Sequence, residues 1–125
     1  VRGVRLSSGE RLAAGAVVIA TGARLEGLAG LPPGSIFPVK GEALALARAS
    51  ASPSRVIRTR SAYLCPKADG RLVVGASEIA GDASINTDAA RVERLKKGAV
   101  RAVPALAAGV EIERWAGLRP ATADA

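Results

Sequence analysis

"AYLCPKADGRLVVGA", residues 62–76, consists of two β-rich runs meeting at Ala68-Asp69-Gly70. Asp-Gly supplies the positive-φ geometry that a tight hairpin demands, and the flanking runs carry Tyr, Leu and Val. Pro66 removes an amide donor, so the first strand needs an irregular or edge position there. A hairpin pairs antiparallel, whereas parallel strands need a long crossover between them. This stretch therefore commits the chain to an antiparallel sheet.

Downstream, residues 86–106 (NTDAARVERLKKGAVRAVPAL) read as a helix. Val92, Leu95, Ala99 and Val103 fall on one face, and Arg91, Arg94, Lys97 and Arg101 largely on the other. Thr87 is the expected N-cap, Asp88 suits the positive end of the helix dipole, and Pro104 stops the helix. Gly98 costs about 1 kcal/mol relative to alanine in a helix, which packing on a sheet could offset. Residues 110–119 (VEIERWAGLR) read as the last strand. Upstream, 54–60 (SRVIRTR) is a strand candidate, and 43–49 (ALALARA) is read as strand in preference to short helix. The Gly- and Pro-rich stretch 28–42 (LAGLPPGSIFPVKGE) reads as a connector between two units. Near the N-terminus, VRGVRL alternates as a half-buried strand, SSGE offers a turn, and a second short strand begins at Arg11. Residues 14–23 (AGAVVIATGA) have a core, Ala16–Ala20, that is apolar on both faces, as in a strand covered from two sides. It ends in Thr21-Gly22, a small and permissive strand end that a ligand can approach.

Consecutive strands with one helix imply an α+β fold, a largely antiparallel sheet with the helix packed on one face. With 125 residues and 49% hydrophobic residues, the chain can bury a core. It contains no methionine, so it is expected to be a piece of a longer protein.

Composition excludes several chemistries. Histidine is absent, which removes Ser-His-Asp and Cys-His catalysis and most zinc sites. The one cysteine, Cys65, has no internal disulfide partner and reads as a small buried hydrophobe in a strand. That usage fits a reducing, cytoplasmic setting. The net charge is +7, but the arginines are dispersed and aromatics are scarce, so no nucleic-acid-binding stripe is formed. No apolar run reaches the roughly 20 residues of a membrane span. Lys40 reads as a surface charge or as a residue near a domain junction.

The chemistry-bearing stretch is WAGLRPATADA, residues 115–125. Strand alternation puts Ile112, Arg114, Ala116 and Leu118 on one side and Glu113, Trp115, Gly117 and Arg119 on the other. Gly117 leaves room for a small molecule on the sheet, and Arg119 is placed to clamp a carboxylate bidentately. Two structural alternatives stay open: Arg119 stacked on Trp115, or paired with Glu113.

Taken together, AGAVVIATGA, FPVKGEALAL, YLCPKADGRLVVGAS and WAGLRPATADA resemble the FAD-dependent glycine oxidase and D-amino-acid oxidase family over nearly the whole chain. The resemblance implies a domain division: residues 1–30 as a fragment of the FAD-binding domain (hairpin and ATG strand), and 31–125 as a substrate-binding domain incomplete at its C-terminus. It implies FAD as cofactor, with Ala20, Thr21 and Gly22 lying against it. The family's G-x-G-x-x-G is not in this sequence, so the fragment alone should hold FAD poorly and be inactive. Arg119, matching the arginine of GLRP, would bind the substrate carboxylate, and Tyr63 would lie near the substrate; a second substrate arginine belongs to a motif beyond residue 125. Glu42 stands where glutamine is common. The implied reaction oxidises the Cα–N bond of glycine or a D-amino acid to an imine and 2-oxo acid, with release of ammonia and hydrogen peroxide, in thiamine biosynthesis. No side-chain base is required and no metal is implied.

The expected partner is a small amino-acid substrate, with neither nucleic acid nor membrane. An unpaired sheet edge would also allow a homo-oligomer. Two other readings stand beside this one: a sarcosine-type amine oxidase or D-amino-acid dehydrogenase, and a non-enzymatic module assembling through its sheet.

Overall fold

A computed structural model describes residues 2–24, 30, 32–47 and 52–122. The elements are β1 (Gly3–Arg5), β2 (Arg11–Ala13), β3 (Phe37–Leu46), β4 (Ile57–Arg58), β5 (Tyr63–Pro66), β6 (Leu72–Gly75), β7 (Ile79–Ala80), α1 (Ala89–Ala102), a 3-10 turn at Pro104–Ala108, and β8 (Glu111–Ala121). β1 and β2 form a separate antiparallel hairpin closed through Gly9 at φ +91°. The other described strands form one antiparallel sheet in the order β4-β5-β6-β3-β7, with β8 also on β3. The architecture is α+β, as the hairpin motif required.

β3 is the spine. β8 pairs with it from Phe37↔Ala121 to Leu46↔Glu111, while β6 and β7 share its other edge. This corrects the reading of 28–42 as a connector, because 37–42 are strand. Pro38 and Gly41 oppose strand formation by propensity, but the long pairing with β8 overrides it. Pro38 lies opposite Pro120 near one end of the ladder, and Gly41 opposite Gly117 at its middle.

The β5–β6 hairpin turns through Gly70 at φ +89°, and the Asp69 carboxylate accepts the Arg71 amide at 3.0 Å. Leu44, Leu46, Leu64, Leu72 and Val74 pack with Val92, Leu95, Ala99 and Leu106 into the core between sheet and helix. Fully burying each such side chain contributes about 1.5–3 kcal/mol. The helix N-cap is Asp88 rather than Thr87; its side chain accepts from the Arg91 amide, at the N3 position a capping carboxylate reaches. Gly98 is buried because the helix crosses close to the β4–β5 turn: a Cβ there would lie 3.0 Å from the Ser61 carbonyl and 3.1 Å from Ala62 Cβ.

Residues 14–24 form no strand, which corrects the reading of AGAVVIATGA. An apolar strand covered from both sides needs ladder partners on its edges, and none of the described residues supplies them. Val18 is accordingly 88% exposed.

Candidate functional site

The pairing register assigns each strand residue to a face. Leu44, Leu46, Leu64 and Val74 face the helix, so Tyr63, Cys65, Gly75, Ala43, Gly41, Trp115, Gly117 and Arg119 share the opposite face. Arg58, opposite Tyr63 on β4, belongs there too. A cleft of about 600 Å³ opens on this face, and its lining includes Arg58, Arg60, Tyr63, Gly75, Glu78 and Arg119.

Two glycines shape it. The Tyr63 ring packs over Gly75, where a Cβ would stand 3.0 Å from the ring. The Arg119 guanidinium lies over Gly41, where a Cβ would stand 3.0 Å from Nη2. Arg119 Nη2 donates to the Ser77 carbonyl at 3.0 Å. Ser77 is itself pinned to β3: its hydroxyl accepts the Glu42 amide at 2.9 Å, and its own amide donates to the Glu42 carbonyl at 3.1 Å. Arg119 therefore leans diagonally across β3, and its other donors remain for a ligand. Glu113 is paired instead with Arg71 at 2.7 Å. Gly117 does have open space above it, but neither it nor Trp115 lines the cleft. The free space used by Arg119 is on the Tyr63 side.

The β4–β5 turn that carries Arg60 is held by Thr59. Its hydroxyl donates to the Ala62 carbonyl at 2.7 Å and accepts the Ala62 amide at 3.1 Å. Cys65 is half-buried and lines the cleft rather than the core.

The opposite face of β3 carries an ionic cluster the sequence reading missed. Lys40 is 3% exposed and Glu42 fully buried, which corrects the placement of Lys40 on the surface. Lys40 Nζ donates to Asp82 Oδ2 at 3.2 Å and to Ser84 Oγ at 2.8 Å, and lies 3.5 Å from Glu42 Oε1. Glu42 Oε1 also accepts from the Asp88 amide at 3.3 Å and from Arg91 Nε at 3.4 Å, while Oε2 is buried without a hydrogen-bond partner among the described residues. The signal was the alternation Lys40, Glu42 on an otherwise apolar strand. The Asp82 carboxyl is lowered to about 2, first by the Ser84 amide, then by the Ser84 hydroxyl and the Lys40 ammonium. Asp88 is held below its usual value chiefly by the Arg91 amide it caps.

Of the residues singled out in the sequence, Arg119 and Tyr63 meet in one cleft. Ala20, Thr21 and Gly22 do not join it; they lie in the exposed stretch after β2. The Thr21–Gly22 turn has Gly22 at φ +62° with nothing within 4 Å of where a Cβ would stand. That bare backbone fits an edge contact to a flat cofactor, not a complete binding site. No helix among the described residues is long and apolar enough to cross a membrane.

Residues 1–125 match the family described as FAD dependent oxidoreductase. Glycine oxidase from Geobacillus kaustophilus is 34% identical over 94% of this chain. A crystal structure of glycine oxidase from that organism superposes with a TM-score of 0.83 at 33% identity, over 94% of this chain and 32% of the other. The bifunctional protein ThiO/ThiG of Synechocystis sp. is 34% identical over 86% of this chain and 17% of its own. The crystal structure of iminodiacetate oxidase from a Chelativorans species aligns with a TM-score of 0.74 at 29% identity, over 94% of this chain and 33% of the other. The chain spans about a third or less of the length of each.

Proposed function

The chain belongs to the FAD-dependent oxidoreductase family, and on that premise we propose that residues 31–125 form the substrate-holding part of an amino-acid oxidase of the glycine oxidase type. The whole enzyme would oxidise the Cα–N bond of glycine or a small D-amino acid to an imine, which hydrolyses to a 2-oxo acid and ammonia, with hydrogen peroxide as the second product. The observation that carries this reading is the Arg119 guanidinium, braced by the Ser77 carbonyl over Gly41 on the same cleft as Tyr63. A braced guanidinium offers a carboxylate two parallel, charge-assisted hydrogen bonds, worth roughly 1.5–3 kcal/mol for a charged partner.

In this mechanism Arg119 holds the carboxylate and thereby sets the orientation of Cα. Tyr63 forms the wall opposite and excludes water from one side of the substrate. No side chain of the cleft has to remove a proton from Cα, because FAD, when bound, supplies the hydride acceptor. Residues 1–30 would contribute to the FAD-binding domain, with Ala20, Thr21 and Gly22 meeting the cofactor's edge. The remaining work of the protein is positioning. The relationship to bifunctional ThiO/ThiG proteins supports a place in thiamine precursor synthesis. A secondary-amine substrate of the sarcosine type is the second reading, favoured by the likeness to iminodiacetate oxidase.

The test is peroxide release by the full-length flavoprotein with glycine, sarcosine and D-alanine. Arg119→Ala should raise KM for the preferred substrate at least about tenfold, as the loss of a charged contact demands. Unchanged Michaelis constants would remove Arg119 from the role. Reduction of the flavin by substrate without oxygen consumption would instead mark a D-amino-acid dehydrogenase.

A further inference from the structure

The cleft holds more positive charge than one carboxylate uses. We propose that it also accepts a substrate with a second carboxylate, which docks on Arg58 and Arg60 while Arg119 holds the first; the proposal rests on the reading of Arg119 given above.

Three arginines, Arg58, Arg60 and Arg119, line this cleft beside one acidic residue, Glu78. Three other arginines of the sheet and helix are neutralised: Arg71 by Asp69 and Glu113, Arg91 by Glu42 and Asp88, Arg114 by Glu111. Among the described residues, Arg58, Arg60 and Arg119 form no ion pair. Unpaired cations converging on one concavity raise the local concentration of anions there. Arg58 is also preorganised, because its guanidinium carbon sits 6.0 Å from the Tyr63 ring centroid.

The register gives the spacing. Arg58 pairs with Tyr63, the Tyr63 ring covers Gly75, Gly75 pairs with Ala43, and Gly41 lies two residues along β3 beneath Arg119. Adjacent strands about 4.8 Å apart and a rise of about 3.4 Å per residue put Gly75 and Gly41 about 8 Å apart. Arg58 on β4 and Arg119, leaning over β3, therefore stand on opposite sides of Tyr63 in the strand order. A short dicarboxylate, such as iminodiacetate or a 2-amino dicarboxylic acid, is the class of molecule that could meet cations on both sides of that ring. Tyr63 would lie alongside the middle of such a molecule.

The test uses the full-length flavoprotein and two pairs of compounds. Glutarate and butyrate lack the amine and are not oxidised, so their binding by calorimetry reads the second site alone. Iminodiacetate and sarcosine share the secondary amine and one carboxylate, so their kinetics read its use in turnover. Glutarate should bind about tenfold more tightly than butyrate, and the advantage should vanish in Arg58→Gln/Arg60→Gln. The same double variant should raise KM for iminodiacetate about tenfold and leave sarcosine within about twofold, with Arg58→Lys recovering part of the loss. Both residues are exposed, so an unchanged melting temperature should accompany these shifts. Equal binding of glutarate and butyrate, or an advantage that survives loss of both arginines, would overturn the second site. Arginine-dependent glutarate binding without peroxide release from glycine, D-alanine, sarcosine or iminodiacetate would keep that site and overturn the oxidase reading instead.

Discussion

Arg119 and Gly41 act as a pair, one supplying a charge and the other the absence of a side chain. A methyl group at 41 would stand 3.0 Å from Arg119 Nη2, and the flexible guanidinium would give way before the backbone does. Gly41→Ala should therefore raise KM several-fold through a displaced Arg119, with a melting temperature close to that of the parent. Steady-state kinetics and a thermal scan of the full-length protein check both halves. Strand alternation made the side of the sheet that Arg119 occupies legible in the sequence. The direction in which its long side chain leans was not, because that depends on Gly41 and Ser77, which come near it only through the pairing of β3, β7 and β8. The same reason hid the Lys40–Asp82 contact, which joins residues 42 positions apart that only the fold brings together.

Among the elements, α1 and the β5–β6 hairpin were readable because their signals are local: a 3.6-residue apolar period, an Asp-Gly turn, a proline stop. β3 was half-hidden, since Pro38 and Gly41 are poor strand formers and only their partners on β8 compensate. The residue stretch before Thr21 was misread for the converse reason, an apolar pattern whose strand partners are not among those described. Gly98 distinguishes local from tertiary logic within α1. Helix propensity alone says that Gly98→Ala stabilises by about 1 kcal/mol. The crossing at Ser61 and Ala62 leaves no room for the methyl group, so we expect a net loss of about 1–3 kcal/mol, the usual cost of overpacking, measured by chemical denaturation.

For the molecule as a whole, acid sensitivity should pass through Asp82. Its carboxyl is lowered from 3.8 to about 2 in the folded chain, so folding favours the ionised form. The stabilisation is present above about pH 4 and is lost as pH falls toward 2, where the unfolded chain takes up the proton first. Asp82→Asn should be less stable than the parent at neutral pH and should show a flatter decline between these limits, read as denaturation midpoints against pH. A last consequence belongs to β3, whose even positions carry the ionic cluster and core while its odd positions lie on the sheet face where Arg119 and Tyr63 stand. A single inserted or deleted codon between Phe37 and Leu46 would exchange the two sides, sending Lys40 and Glu42 toward the ligand and Gly41 into the hydrophobic interior. Point changes on alternate residues of that strand can thus alter one face at a time, but its length has to remain fixed.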